Sequence, residues 1–340
     1  MIKSTYVIGH RNPDTDSIAS AISYAALKQE LGDKTAIAAM AGAPNPQTRY
    51  ILDRLEITDP LFLADVHPKV RDTIKREPIT VGRQASAYEA LELFNKSGVR
   101  VLPVVDDDNK PCGILSLLRL SESYLLPCHD KIRGVTTTLT NLARTLSGSF
   151  VDENRKYEDS LITLNLFIGA MLEDSFNSMI SGFEPQELLI MTGNRRTIQL
   201  AAIERGVRVL VVTGGHKLEE SLVDLARARG VAVLRTPHDT ATAAWLARLS
   251  TPAVCLAEPE FVGIGVNKSL VALRQKLLGS NVSAVLALEG DNTLAGVATK
   301  SSLLAPLPCR LILMDHNELG QAVPGAELVE ITEVIDHHTL

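Results

Sequence analysis

The pattern of apolar and polar positions near the start of the chain alternates between that of strands and that of helices. The apolar run Tyr6-Val7-Ile8 predicts a short buried strand, and apolar residues at helical spacing predict a helix over 17–32. A second strand is predicted over 35–40, followed by a second helix over 45–55. Strands that alternate with helices are typical of a doubly wound α/β sheet.

The next strand of this sheet is displaced far along the chain. The apolar run that would continue the pattern, 311–314, lies close to the end of the sequence and is followed by another run at 333–335. We therefore infer that a large segment is inserted between about Val66 and Cys309.

Two stretches of the inserted segment, 78–121 and 261–304, have the same pattern. Each predicts a strand, a helix, a strand, a polar turn, a strand and a helix in that order. An internal repeat of about 45 residues indicates a duplicated structural unit.

The region between the two copies has two halves of different character. Its first half has the pattern of amphipathic helix and loop, whereas strands alternate with helices from Glu187 onward and predict a small parallel α/β unit. The turn Thr213-Gly214-Gly215 before a helix has the composition of a phosphate cradle, but a plain tight turn is also compatible with it.

Composition narrows the class of protein. At 340 residues the chain suggests two to four domains, and 45% hydrophobic residues provide an ample core for a soluble protein. The net charge of −6 without a basic cluster argues against nucleic acid as a partner, and no apolar run is long enough to suggest a membrane span or signal peptide. The four cysteines are scattered and form no CxxC pair: Cys112, Cys128, Cys255 and Cys309. This pattern predicts buried, reduced side chains in a cytoplasmic protein.

Three acidic and histidine-rich segments follow apolar runs at opposite ends of the chain. They are 9–17 (GHRNPDTDS), 315–317 (DHN) and 336–338 (DHH). Open α/β sheets bind ligands at the carboxyl ends of their strands, and imidazoles with carboxylates suit first-row divalent metals. Carboxylates gathered without basic partners need cations to neutralise them, so the segments predict a metal site, which can hold two ions for an in-line attack on phosphorus.

These three motifs resemble the DHH phosphoesterase superfamily and, within it, the family II inorganic pyrophosphatases. The segment 41–48 and the sequence EVIDHH at 333–338 are similar to the same family. Residues 99–106 with 113–116, and more weakly 282–285 with 296–299, resemble CBS motifs, and the α/β unit between them resembles a DRTGG domain. The resemblance implies an incomplete doubly wound parallel-sheet DHH domain that is interrupted by a CBS pair and a small α/β DRTGG-like domain.

The expected boundaries follow from these resemblances. They are 1–66 for the first part of the DHH domain, 67–124 for CBS motif 1, 125–250 for the DRTGG-like domain, 251–308 for CBS motif 2 and 309–340 for the second part of the DHH domain.

The resemblance also implies roles for individual residues of the metal motifs. The implied ligands of two Mn²⁺ or Co²⁺ ions are His10, Asp14, Asp16, Asp315 and His337. Asp315 would bridge the ions, and His338 would be the acid that hydrogen-bonds the leaving phosphate of pyrophosphate, which Mg²⁺ would accompany. Asn317 would orient a neighbouring ligand, whereas His316 is equally compatible with a structural and a functional role.

The CBS resemblance implies clefts for adenine nucleotides (AMP, ADP, ATP or diadenosine polyphosphates). The candidate contacts are Arg100, Ser116, Leu117, Leu118, Arg119, Ser283, Ala284, Val285 and Thr299. Such motifs often place an Asp three residues after Ser or Thr to hold the ribose, but here Arg119 and Ser302 occupy those positions, and an Arg favours phosphate. A CBS pair used only for dimer contacts is the alternative, and a homodimer or higher oligomer through the CBS and DRTGG domains is expected.

The sequence therefore predicts a nucleotide-regulated inorganic pyrophosphatase. Another DHH phosphoesterase, such as an oligoribonuclease or cyclic-dinucleotide phosphodiesterase, and a non-catalytic adenine-nucleotide sensor are the alternatives. The family's fourth metal carboxylate and its substrate-gripping Lys and Arg residues have no counterpart here, so we expect the chain to be a C-terminally truncated fragment that is inactive alone.

Overall fold

The structure is a computed structural model that describes residues 4–74, 77–125, 133–152, 156–157, 159–279, 282–304 and 309–338. The chain forms two compact units, one built from residues 1–78 and 262–340 and the other from residues 79–261. Within the described ranges, no helix is both long enough and apolar enough to cross a membrane.

The structure contains strands and helices in alternation. The strands are β1 (Ser4–Ile8), β2 (Ala36–Met40), β3 (Leu61–Phe62), β4 (Val81–Gly82), β5 (Val101–Val105), β6 (Pro111–Ser116), β7 (Gly134–Thr137), β8 (Ser149–Phe150), β9 (Ile162–Ile168), β10 (Leu188–Thr192), β11 (Val209–Val212), β12 (Ala232–Arg235), β13 (Gly263–Gly265), β14 (Val285–Leu288), β15 (Leu294–Ala298), β16 (Cys309–Met314) and β17 (Glu330–Ile335). The α-helices are α1 (Thr15–Glu30), α2 (Pro46–Arg54), α3 (Ala87–Ser97), α4 (Leu117–Leu125), α5 (Leu139–Thr145), α6 (Glu173–Ile180), α7 (Arg196–Arg205), α8 (Glu220–Arg229), α9 (Thr240–Arg248), α10 (Ala253–Leu256) and α11 (Leu270–Gly279). Short 3-10 helices cover Val70–Asp72, Pro185–Glu187, Lys300–Leu304 and Ala326–Leu328.

The first unit contains a parallel sheet in the order β17-β16-β1-β2-β3. Both ends of the chain therefore contribute to one sheet, as the split motifs predicted. Val7 faces α1 in a core with Ile312, whereas Ile8 faces the other side with Leu313. Because successive side chains of a strand point to opposite faces, these central strands are apolar on both sides. The predicted doubly wound α/β class is confirmed.

The second unit contains a six-stranded sheet in the order β7-β9-β10-β11-β12-β8. Strands β9 to β12 are parallel, and β7 and β8 run antiparallel at the two edges. The elements predicted from Glu187 onward are present. The half before it contains the helices α5 and α6, but it also supplies β7, β8 and β9, which the prediction of helix and loop missed. The strands β7 and β8 cover only four and two residues and give little alternation to detect, whereas β9 covers seven.

Each repeated copy forms a three-stranded sheet with the predicted order of elements. The sheets β4-β5-β6 and β13-β14-β15 both pair their first two strands parallel and their last two antiparallel. The copies differ at their ends, because α4 follows β6 whereas a 3-10 helix, Lys300–Leu304, follows β15.

Each copy is completed by a segment from elsewhere in the chain. Val70 and Ile74 are buried in the core of the second copy, and the amide of Val70 donates to the carbonyl of Lys268 at 2.9 Å. In the other unit, Leu249 and Ala253 are buried in the core of the first copy. Side chains on both sides of the predicted boundaries at 67 and 251 therefore share a core with residues far along the chain, and the boundaries themselves stay a prediction.

The cysteines only partly follow the prediction of burial. Cys309 is buried, Cys112 is partly buried and Cys255 is exposed, so the prediction is wrong for Cys255. Cys128 lies outside the described residues.

Candidate metal centre

The loop after β1 is shaped by a close contact between Gly9 and Ser17. A Cβ atom on Gly9 would lie 1.9 Å from Oγ of Ser17, so only glycine fits there. The same hydroxyl accepts a hydrogen bond from the amide of His10 at 3.1 Å. The carboxylate of Asp14 caps α1 by accepting a hydrogen bond from the amide of Ser17 at 3.0 Å. Ser17 is fully buried and therefore fixes both candidate ligands at the start of the helix.

Asp315 follows β16 directly and is buried at the carboxyl edge of the same sheet. Its backbone is left-handed, with φ of 62°, which an aspartate tolerates better than most residues. Its amide donates to the carbonyl of Ile335 at 2.8 Å, and this bond joins the end of β16 to the end of β17. The DHH segment 336–338 is thereby brought next to Asp315.

Asp315 lies at the centre of two groups of candidate ligands. Its Oδ2 atom is 3.4 Å from Nε2 of His10, and its Oδ1 atom is 3.9 Å from Nδ1 of His337. The first group contains His10, Asp14 and Asp315, and the second contains Asp315, His337 and His338, with the ligand atoms of each group within 4.8 Å of one another. Asp16 lies beside the second group, since its Oδ2 atom is 3.6 Å from Nδ1 of His337.

This geometry agrees with the distance that metal ligation requires. The carboxylates of Asp14 and Asp315 share one 4.8 Å cluster, well inside the roughly 8 Å beyond which one ion could not join them. The charges agree as well: burial first, and then the nearby carboxylates of Asp16 and Asp14, raise the pKa of Asp315. A buried carboxylate such as that of Asp315, close to two further carboxylates, is unfavourable unless a cation neutralises it, so these donors fit a divalent metal.

His338 is held by the aspartate of its own motif. Its Nδ1 atom lies 2.6 Å from Oδ1 of Asp336, whose side chain is almost fully buried, and its amide donates to the same oxygen. The hydrogen bond that His338 donates to Asp336 raises the pKa of His338, and the ring stacks on His337 with centroids 4.3 Å apart. The sequence interpretation missed Asp336, although its place two residues before His338 was a usable signal.

The DHN segment gives a mixed outcome. His316 is buried, its Nδ1 atom contacts the carbonyl of Met314 at 2.8 Å, and its Nε2 atom has no hydrogen-bond partner among the described residues. Burial lowers the pKa of His316, which favours the neutral ring. Asn317 is exposed, and within the described ranges its side chain makes no hydrogen bond to a candidate ligand.

The candidate nucleotide contacts of the first copy lie together where β5 begins and β6 ends, because these two strands are antiparallel. The amide of Leu117 donates to the carbonyl of Arg100 at 3.1 Å, and the amide of Arg119 donates to Oγ of Ser116 at 3.1 Å. Leu117 and Leu118 are exposed, by 40% and 69%. These five residues therefore form one accessible surface.

In the second copy the candidates divide by burial. Ser283 is exposed, whereas Ala284 and Val285 are buried, so a ligand there would meet their main chain. The hydroxyl of Thr299 lies 2.7 Å from that of Ser301 in the turn after β15.

The phosphate cradle considered at Thr213-Gly214-Gly215 is contradicted. The amide of Gly214 donates to the carbonyl of His238 at 2.7 Å, and that of Gly215 donates to the carbonyl of Thr236 at 2.9 Å. Both glycines are left-handed, with φ of 73° and 69°. Because both glycine amides already donate to carbonyl groups of the protein, they are not available to a phosphate, and the segment forms a tight turn.

The sequence is similar to two known domain families and to curated inorganic pyrophosphatases. The CBS domain family matches residues 70–125, and the DRTGG domain family matches residues 141–250. The cobalt-dependent inorganic pyrophosphatase of Clostridium perfringens is 30% identical over 335 residues, which are 98% of this chain and 60% of that protein. A probable manganese-dependent inorganic pyrophosphatase of Thermotoga maritima is 29% identical over 343 residues, 100% of this chain and 61% of that protein.

A solved structure has the same fold. The CBS and DRTGG domains of the regulatory region of Clostridium perfringens pyrophosphatase, complexed with the activator diadenosine tetraphosphate, match with a TM-score of 0.59 at 24% identity. The match covers 68% of this chain and 99% of that one. The chain spans about 60% of the length of the curated relatives above. Over essentially its whole length, the chain is similar to curated manganese- or cobalt-dependent inorganic pyrophosphatases, and it contains CBS and DRTGG domains.

Proposed function

We propose that this chain supplies the two-metal centre of an inorganic pyrophosphatase. The observation that supports this most is the position of Asp315 between two groups of ligands that come from opposite ends of the sequence. His10, Asp14 and Asp315 would hold one Mn²⁺ or Co²⁺ ion, and Asp16, Asp315 and His337 the other. The named metals of the relatives support this choice.

The bound ions would supply an activated water nucleophile and neutralise charge on the phosphates, and Mg²⁺ would accompany pyrophosphate. Asp315 would hold both ions at a fixed separation, since its two oxygens face different groups. His338 would donate a proton to the leaving phosphate oxygen through Nε2, because Asp336 holds Nδ1. Ser17 would keep His10 and Asp14 in place through its two hydrogen bonds.

The test measures metal stoichiometry and phosphate release on the same protein. We expect about two Mn²⁺ or Co²⁺ ions per chain by calorimetry, and fewer for Asp315→Ala. Asp33→Ala is the matched control, because Asp33 precedes β2 at the opposite edge of the same sheet. Phosphate release from pyrophosphate, measured on this chain and on a chain as long as its relatives, tests the reaction. Cleavage of oligoribonucleotides or cyclic dinucleotides instead of pyrophosphate would favour the other DHH activities.

Regulation by adenine nucleotides is the second part of the proposal. The surface that contains Arg100, Ser116 and Arg119 offers cationic and hydroxyl groups to phosphates, and the structural neighbour binds diadenosine tetraphosphate. AMP, ADP, ATP and diadenosine tetraphosphate should raise the thermal midpoint, because a ligand of the folded state stabilises it. The shift should decrease with salt and nearly vanish for adenosine. An unchanged midpoint at millimolar nucleotide would exclude the sensor and leave the metal centre untouched.

A short main-chain path supports coupling between the second CBS copy and the metal motifs. The amide of Arg71 donates to the carbonyl of Val266 at 3.0 Å. The amide of Val66 donates to the carbonyl of Pro324 at 2.9 Å, and the amide of Arg11 donates to the carbonyl of Gln321 at 2.8 Å. Segment 66–74 and loop 318–325 thus connect this copy to the residue after His10.

Gly325 is the tightest point of this path. Its φ is 90°, and a Cβ atom there would lie 2.7 Å from the amide nitrogen of His67. Gly325→Ala should therefore abolish any effect of nucleotide on Mn²⁺ affinity, whereas Gly320→Ala, which has open space in the same loop, should preserve it. Equal coupling in both variants would exclude this path.

Two further expectations belong to the same proposal. A homodimer through the CBS and DRTGG domains stays a prediction that sedimentation of the chain tests. A cytoplasmic location also stays a prediction, supported by scattered cysteines without a CxxC pair.

A further inference from the structure

Strand β17, which presents the DHH segment, lies at one end of the strand order and pairs only with β16 among the described strands. Ile331 packs against the core before the bulge, but the apolar side chains after it do little to hold the strand, since Val334 is 50% exposed and Ile335 is 37% exposed. A slip of one residue in such a strand would turn every side chain to the other face. Something other than core packing must therefore fix the register of the end of this strand, from Glu333 to Ile335.

The register is interrupted by a bulge just before the DHH segment. Leu311 pairs with Ile331, but the next residue, Ile312, pairs with Glu333, so Thr332 is the extra residue. The hydroxyl of Thr332 donates to the carbonyl of Leu311 at 3.2 Å. The position of every later residue, including the ligand candidate His337, depends on this one-residue offset.

The side chain that follows the bulge is held by two residues of α1. The hydroxyl of Tyr24 donates to Oε2 of Glu333 at 2.6 Å, and the ammonium group of Lys28 forms a close ion pair with Oε1. Lys28 also lies over the Tyr24 ring, 5.5 Å from its centroid, and Tyr24 packs on the core face of the sheet. Both carboxylate oxygens of Glu333 are therefore bonded to α1, the helix that Asp14 caps.

We propose that Glu333 is a positioning residue that locks β17 in register, so that His337 meets Asp315 and Asp16 at the second ion. This inference rests on the proposed metal centre and deepens it. Lys28 and Tyr24 also lower the pKa of Glu333, as their hydrogen bonds to the carboxylate require. One helix then sets both sides of the centre, because α1 presents Asp14 and Asp16 at its start and fixes the DHH strand about two to four turns later.

The neighbouring ion pair provides a matched control. Arg310 donates to Glu330 at 3.1 Å across the same two strands, but this pair lies before the bulge and is about half exposed. Glu330→Ala therefore removes the same group from the same strand without releasing the register after Thr332. Glu333→Gln keeps an acceptor for Tyr24 and is the conservative variant.

The experiment measures the affinity of each variant for Mn²⁺ by calorimetry and records the visible spectrum of bound Co²⁺. Glu333→Ala should weaken one of the two ions about tenfold and alter the Co²⁺ spectrum, as loss of a supporting residue around a metal does. The other ion, held by His10 and Asp14, should bind as in the wild type. Glu333→Gln should recover part of the loss, and Glu330→Ala should match the wild type.

The outcomes separate this inference from the proposed metal centre. Equal weakening of both ions with a lower thermal midpoint would show a merely structural role and overturn the inference, as would identical behaviour of Glu333→Ala and Glu330→Ala. If the wild type binds neither metal, the proposed centre fails, and hydrogen exchange then tests the lock alone. Amides of 334–338 should exchange faster in Glu333→Ala than in Glu330→Ala, and equal exchange would overturn it.

Discussion

The chain contains two sheets with parallel central strands that end in polar residues, and the carboxyl edges of the two sheets differ. At the first edge, β1, β16 and β17 are followed by the histidine and aspartate motifs. At the second, β10 ends in Thr192, and Thr213 and Thr236 follow β11 and β12, all three buried. Both edges meet the rule that α/β sheets bind ligands at the carboxyl ends of their strands.

Hydrogen bonding separates the two edges. The hydroxyl of Thr236 donates to the carbonyl of Leu146 at 2.6 Å, and that of Thr213 lies 2.7 Å from that of Thr240. The first edge, which we call the metal edge because it carries the proposed metal centre, differs. There, Nε2 of His316 and Oδ2 of Asp336 are buried with no hydrogen-bond partner in the described part of the chain. The polar groups of the second edge, which we call the saturated edge, are bonded within the protein, whereas the buried groups of the first edge are compatible with the metal ions proposed there.

The largest expected effect at the metal edge is that of Asp315→Ala. Asp315 belongs to both ligand groups and Asp14 to only one, so its loss should cost affinity for two ions, beyond the roughly 10–100-fold that supporting residues cost. Asp14→Ala should mainly lose one ion. Calorimetric titration with Mn²⁺ measures both, and equal losses of stoichiometry in the two variants would contradict a bridging role.

A second prediction concerns the metal-free protein and its pH dependence. Burial and the carboxylates of Asp16 and Asp14 raise the pKa of Asp315 in the folded state above the roughly 3.9 of an unfolded chain. Between the two values the folded state binds more protons, so the free energy of unfolding decreases as pH rises from about 4 through the folded pKa. Asp315→Asn, which tolerates the left-handed backbone, should remove this penalty.

In chelator, Asp315→Asn should therefore be more stable than the wild type at pH 7, by about 1 kcal/mol, and equal to it near pH 3. With saturating Mn²⁺ the order should reverse, because only the wild type gains the stabilisation of a bound ligand. Thermal midpoints across pH 3–8 measure this. If Asp315→Asn were less stable than the wild type in chelator at pH 7, the carboxylate of Asp315 would already be stabilised within the metal-free protein, and the prediction would be wrong.

How much of this was predictable differs between fold and site. The parallel sheet and the carboxyl-edge position of Asp315 followed from short apolar runs that end in polar motifs. The lock on β17 did not, since Tyr24 and Glu333 are 309 residues apart and nothing local in either segment indicates the pairing. The packing of Val70 in the core of the second CBS copy escaped prediction for the same reason.

The saturated edge provides the third prediction, with a smaller effect. Thr236→Val keeps the shape of the side chain but leaves the carbonyl of Leu146 without its partner, which should cost about 1–2 kcal/mol of unfolding free energy. Metal stoichiometry should not change. Chemical denaturation and Mn²⁺ titration test the pair of outcomes, and a change in stoichiometry would show that this edge influences the metal centre.

The smallest expected effect is at the glycine turn of the saturated edge. Gly215 has φ of 69° with nothing within 4 Å of a Cβ atom, so Gly215→Ala should cost about 1 kcal/mol through backbone strain alone. Gly182→Ala, at an open position without positive φ, is the control and should cost less. Because the amide of Gly215 is bonded to Thr236, millimolar inorganic phosphate should shift the thermal midpoints of wild type and Gly215→Ala equally. Stabilisation by phosphate of the wild type alone would show that the turn opens to bind an anion, and the contrast between the two edges would then fail.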